Sequence, residues 1–210
     1  MENASTALKI AGGILIGVLV LSLLVVGYYN LRSYMTAGEK EKNEEQKYDF
    51  NKQFSIYVND IYGSDLLSLV NKAQDYNIKE AGDKSYSRLD IIVTFTSDIS
   101  TKINGKTYGF SKGRYTTDQI VTTIDNLQKK IDEIGKIKYS GYEVSKLSLM
   151  RTNEQRQKIN NGEWTDAQSN ITNYLSLKSD ETTVKSKIFK FVKVQYDNTT
   201  GRIKLIEFKL

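Results

Sequence analysis

The dominant feature of the hydropathy pattern is a run of twenty uncharged residues, 10–29, reading IAGGILIGVLVLSLLVVGYY. As a helix it would span roughly 30 Å, the thickness of a bilayer's hydrocarbon core. Tyr28 and Tyr29 stand at one end, where aromatic rings favour the headgroup layer. Lys9 and Arg32 close the two ends with charges that can snorkel to water. A cleaved signal peptide fits less well, because its apolar core is about 7–15 residues long behind a basic n-region. Here the n-region has only Lys9, and Thr36-Ala37-Gly38 is a poor cleavage site. Residues 1–30 are therefore expected to hold a single transmembrane helix.

Residues 31–60 read as a polar stalk that extends this helix. The run EKEKNEEQK consists of good helix formers, with Glu44 and Lys47 at helical spacing. Phe50, Phe54, Tyr57 and Ile61 then recur at helical spacing and should pack on something. Gly38 is the one candidate interruption.

Residues 61–210 predict an α+β domain, with an antiparallel sheet and two or three packed helices. Ile61-Tyr62-Gly63 breaks the first helix, and Ser64 is the expected N-cap of the next, whose apolar face is Leu66, Leu67, Val70 and Ala73. That helix should end near Asn77, and residues 78–87 read as a loop. Leu89, Ile91, Val93 and Phe95 alternate with Asp90, Ile92, Thr94 and Thr96, a strand with one buried face. Asn104-Gly105 suits a tight hairpin turn into a strand over residues 106–110. Thr116 and Gln119 have capping-box spacing, followed by Ile120, Ile124, Leu127, Ile131 and Ile134 at helical period and Gly135 as the stop. Ile124 and Leu127 should be buried on the sheet. Residues 137–150 read as a strand kinked at Ser140-Gly141, and residues 151–163 as an exposed excursion. Thr165 and Gln168 repeat the capping-box spacing ahead of a short helix to Leu175. The chain closes as a hairpin whose arms, residues 188–196 and 202–210, each slip phase once, at Phe191/Val192 and Leu205/Ile206, which either a bulge or burial on both faces would explain.

Composition removes whole classes of chemistry. The chain has no Cys and no His, so thiolate nucleophiles, imidazole bases, Cys/His zinc sites and Ser-His-Asp triads are excluded within one chain. Lys and Arg give a net charge of +5 but are interspersed with Asp and Glu, and no basic run is paired with aromatic residues as in nucleic-acid binders. Glu44-Glu45 and Asp132-Glu133 lie side by side on helix faces and diverge, whereas acid–base catalysis needs converging carboxyls. Asp197, Asn198 and Gly201 have the turn residues of a calcium loop without its closing acid. Gly105-Lys106-Thr107 echoes the end of a phosphate loop but fits a β-turn better, since the upstream Gly and the following helix are missing. The fourteen Tyr residues, among them Tyr108, Tyr115, Tyr139 and Tyr142, could line a protein interface but better suit half-buried strand positions. The expectation is a non-enzyme without catalytic residue, cofactor or metal. Gly13 and Gly17 form a GxxxG in the apolar run, the spacing that lets two membrane helices approach closely.

Residues Glu2-Asn3-Ala4-Ser5, Ala11-Gly12-Gly13, and the Tyr62-Gly63, Leu69-Val70-Asn71 and Asn77 spacing resemble a family of uncharacterised single-pass membrane proteins of Gram-positive, clostridia-like bacteria. The resemblance covers about the first 77 residues and implies a membrane anchor without implying an activity. In layout the chain is also similar to type IV pilins and pseudopilins, in which a long N-terminal helix carries an antiparallel sheet. It departs from them in having no Glu within the apolar segment. Arg32, Lys40, Lys42 and Lys47 against Lys9 would place the C-terminal domain in the cytoplasm, whereas the pilin likeness places it outside. We take the second as the expectation. The expected protein is a cell-membrane subunit of a pilin-like or envelope assembly, its partners being the lipid bilayer, further copies of itself and other envelope proteins, with no nucleic acid. The alternative is a membrane-tethered ligand-binding or sensory module.

Overall fold

The computed structural model describes residues 2–81 and 87–210. Residues 82–86, in the expected loop over 78–87, lie outside the described residues. The chain divides into two compact units, Met1–Asp49 and Phe50–Leu210.

The first unit is helix. α1 (Glu2–Ser55) is unbroken at Gly38, and its apolar run is bare, with Leu15 71% and Leu24 65% exposed. It is long and apolar enough to cross a bilayer, as a membrane-spanning helix or a signal helix would be. Its last residues, 50–55, belong to the second unit, where Phe50 and Phe54 are buried as their spacing predicts.

The second unit mixes helix and sheet. Its elements are β1 (Ile61–Tyr62), α2 (Gly63–Lys79), β2 (Asp90–Phe95), β3 (Ile99–Ile103), β4 (Lys106–Phe110), β5 (Gly113–Tyr115), α3 (Thr117–Gly135), β6 (Lys138–Tyr139), β7 (Tyr142–Glu143), α4 (Val144–Leu147), α5 (Thr152–Lys158), α6 (Trp164–Ser186), β8 (Ile188–Tyr196) and β9 (Ile203–Lys209). The main sheet runs β1-β8-β9-β2-β5. It is not antiparallel throughout as expected: β2 and β9 are parallel, Ile91 facing Ile206 and Val93 facing Phe208. The C-terminal hairpin thus docks on β2 after a helical excursion, the long connection that parallel neighbours need. Ile92, expected on the open face, is also buried, as befits a strand paired on both sides.

Two apolar clusters fill the unit. One lies between the main sheet, α2 and the end of α1, and stacks Phe95 on Phe110 with ring centroids 4.4 Å apart. The other gathers α3, α4, α6 and the β3–β4 hairpin around Leu127, Leu147 and Leu177. α3 spans both. Ile120 enters the first cluster, Leu127, Ile131 and Ile134 the second, and Ile124 sits only half-buried at the first cluster's rim. Leu127 is therefore buried as expected, but on the hairpin and helices, and Ile124 is less buried than its period suggests.

Local expectations divide along physical lines. The Thr116–Gln119 capping box forms, with the Thr116 N–H donating to Gln119 Oε1 at 2.9 Å. Asn104 and Gly105 take φ of 50° and 76°, as a two-residue hairpin loop demands. Ser140 and Gly141 take 48° and 87°, so the expected kinked strand is instead a second tight hairpin, β6–β7, followed by α4. Ser64 is inside α2, whose N-cap position is Tyr62. Gly135 ends α3 without the left-handed stop; its value there is space, since a Cβ would stand 2.9 Å from Tyr174. The excursion over 151–163 contains α5 and buries Gln155 and Ile159. α6 begins at Trp164, so Thr165 does not cap it, and it runs to Ser186, well past Leu175.

Candidate interaction surfaces

Each feature carrying candidate chemistry has a definite place. Gly13 and Gly17 lie one turn apart on α1 with open space where a Cβ would be, a shallow groove on a bare helix. Asp197 Oδ1 accepts from the backbone N–H groups of Thr199 (2.9 Å) and Thr200 (2.8 Å) and from the Thr200 hydroxyl. Those backbone hydrogen bonds hold its carboxyl below the ordinary value of 3.8 and tie it into the β8–β9 turn. Gly105 closes the β3–β4 turn, and Lys106 and Thr107 open strand β4, paired with Ile103 and Lys102. Among the described residues no three or more acidic side chains gather to hold a metal ion. Tyr139 accepts a hydrogen bond from Asn170 at 2.6 Å, while Tyr108 lies between Lys106 and Lys130 and Tyr142 under Lys158. Tyr115 packs edge-on against Phe95 and Phe110.

Asn77, Leu69, Val70 and Gly63 have structural roles. Asn77 is buried at the end of α2, where its amide donates to the Leu89 carbonyl at 2.8 Å and accepts from the Leu89 N–H at 2.9 Å. The side chain thus acts as a strand partner just ahead of β2. Leu69 and Val70 are fully buried, and Gly63 meets the end of α6 where no Cβ fits.

Sequence reading missed the outward face of the main sheet. Glu207, on β9, is 15% exposed and flanked by Arg114 at 3.6 Å and Lys193 at 3.2 Å. At the β1 side, Asp60 accepts from Lys190 Nζ at 2.7 Å and from the Phe191 N–H at 2.9 Å, and these two hydrogen bonds depress its carboxyl below 3.8. The Asp60 carboxylate therefore takes the place of a strand at Phe191, and β1 pairs only with Ile188 and Phe189. The rest of β8, residues 192–196, has no strand on that side among the described residues. The phase slip at Phe191/Val192 was its one trace in the sequence; the structure realises it as a register shift between Phe191 and Lys193.

A groove of about 320 Å³ runs along α6, lined by Thr165, Gln168, Ser169, Thr172 and Asn173. It is one helix's polar face rather than a pocket between elements. No protein-family model, curated protein or solved structure matches the chain.

Proposed function

We propose that this chain is a single-pass membrane protein with a structural or interaction role, a pilin-like subunit or component of an envelope assembly whose folded domain lies outside the cytoplasm. The observation that carries the reading is the bare apolar stretch of α1. An exposed belt of this size on a water-soluble chain would associate without limit, whereas a bilayer covers it. The folded unit adds ion-paired and hydrogen-bonded surfaces, and the α6 groove is lined by residues of that one helix.

Self-association is the function such a subunit needs, and Gly13 and Gly17 supply a groove for it. Lipid tails cannot replace the close backbone packing that small residues permit. Gly13→Ile with Gly17→Ile fills the groove with side chains. Crosslinking in membranes should show the oligomer ladder of the wild-type chain reduced to monomer in the double variant, with the domain still folded. An unchanged ladder would remove this helix face from the assembly and leave the folded domain as the place where partners bind.

A further inference from the structure

We propose that the open edge of β8 is a docking site for a second copy of this chain, the two β8 strands pairing antiparallel about a two-fold axis at Val194. The proposal deepens the self-association reading and rests on it.

The edge is a run of five residues, 192–196, whose backbone groups on one side have no strand partner among the described residues. An unpaired edge is a template for another strand unless something blunts it. Two blunting devices occur here, and neither closes this stretch. The register shift at Val192 lies at its start, and a second one, between Gln195 and Tyr196, puts its extra residue, Lys204, on β9, so β8 itself runs from 193 to 196 without an insertion. Lys193, whose charge would repel a neighbour, is paired with Glu207 at 3.2 Å, and Lys190 with Asp60 at 2.7 Å. Half-exposed apolar side chains collect along the same edge: Tyr62 and Ile188 where β1 ends, then Val192 and Tyr196.

The occupant follows from complementarity. With the axis at Val194, Val192 lies beside Tyr196 of the second copy, Lys193 beside its Gln195, and Val194 beside its Val194. Apolar meets apolar and no like charges face each other, which is what cross-strand pairs require. Moving the axis to Lys193 sets two lysines opposite each other. Moving it to Gln195 runs the pairing into Asp197, which is committed to the turn, and loses a pair at each end. The register at Val194 is the one that uses the whole edge. A five-residue ladder is weak in free solution. Confinement to one membrane, where every copy carries the same anchor, raises the effective concentration that such a ladder needs.

The chain has no native Cys, so single cysteines report the register directly. Lys193→Cys and Gln195→Cys are co-expressed as full chains in one membrane and oxidised. The expected result is a disulfide-linked dimer at least tenfold more abundant than with either variant alone. Placing lysines opposite each other with V192K/Y196K should abolish the link, and V192K/Y196E, which sets Lys opposite Glu, should restore it. Both positions are half-exposed, and an unchanged near-ultraviolet circular dichroism spectrum confirms that the fold tolerates them. No link in the co-expressed pair overturns the proposal. So do equal links in the single variants, a link to a protein of another mass, or a link indifferent to V192K/Y196K. Fractionating the same cells separates this from the anchor. A membrane-bound chain without the link sinks the edge alone, and a linked chain in the soluble fraction sinks the anchor alone.

Discussion

A Gly63→Ala variant should melt far below the wild-type chain. Gly63 opens α2, and a methyl group there would stand 1.8 Å from the carbonyl oxygen of Val184 and 3.1 Å from the ring of Phe189. The oxygen belongs to the backbone, so no rotamer change relieves the clash. The last turn of α6 must move, and the Gly63 N–H bond to Lys187 (2.9 Å) and the β1–β8 pairing move with it. Overpacking of a rigid site costs about 1–3 kcal/mol and more where backbone must shift, so this position should lie at or above that upper bound. Gly162→Ala is the control: nothing lies within 4 Å of its Cβ position, and the change should stay within about 0.5 kcal/mol. Thermal melts in detergent, read by the near-ultraviolet signal of the single Trp164, compare the two. Equal melting temperatures would mean that α2 and α6 do not meet as described.

Leu127→Ala should cost about 2–5 kcal/mol, and Ile124→Ala about 1–2. Both occupy the apolar stripe of α3, and period alone ranks them together. Leu127 is enclosed by the second cluster, with Ile103, Val144, Leu147, Ile171 and Leu177, and truncation leaves a cavity that this crowd cannot fill. Ile124 lies at the edge of the first cluster, where water takes up part of the lost volume. A reversed order in the same melts would contradict the division of the core into two clusters.

The helical parts of the fold were legible where one residue type settled the matter. The uncharged run over 10–29 marks the apolar stretch of α1, and Thr116 with Gln119 marks the start of α3. α6 was read short because its buried stripe is not all apolar. Ala167, Ile171, Tyr174, Leu177, Glu181 and Val184 follow helical spacing, yet Glu181 interrupts the hydrophobic pattern. Its carboxylate is 13% exposed; burial alone would raise its titration point, but the hydrogen bonds from Lys178 and Lys185 outweigh that and lower it. A charge kept in the stripe by two lysines has the sequence appearance of a helix end. Ser140-Gly141 was misjudged for a different reason: Ser is an uncommon choice for a left-handed loop position, and the flanking strands are two residues each.

Pairing between distant segments was not legible at all. Nothing in the local pattern of β9 says that β2 will lie beside it in parallel, because strand alternation specifies a face and not a neighbour. The candidate surfaces divide in the same way. Gly13 and Gly17 are visible from spacing alone, since both lie on one helix. The open edge of β8 depends on Asp60, 130 residues away from Lys190, ending the β1 ladder, and only the slip at Phe191/Val192 hinted at it.

Membrane attachment through residues 1–30 is the central claim, and fractionation with intact-mass analysis tests it most directly. The full chain should sediment with membranes, resist alkaline carbonate, be released by detergent, and retain the whole 23.9 kDa polypeptide. A chain lacking residues 1–30 should appear folded in the supernatant, because the pattern beyond Asp49 is that of a domain with its apolar residues gathered inside. A full chain found in the soluble fraction, a shorter mass showing that the apolar run has been cleaved away, or a truncated chain still bound to membranes would each contradict the account.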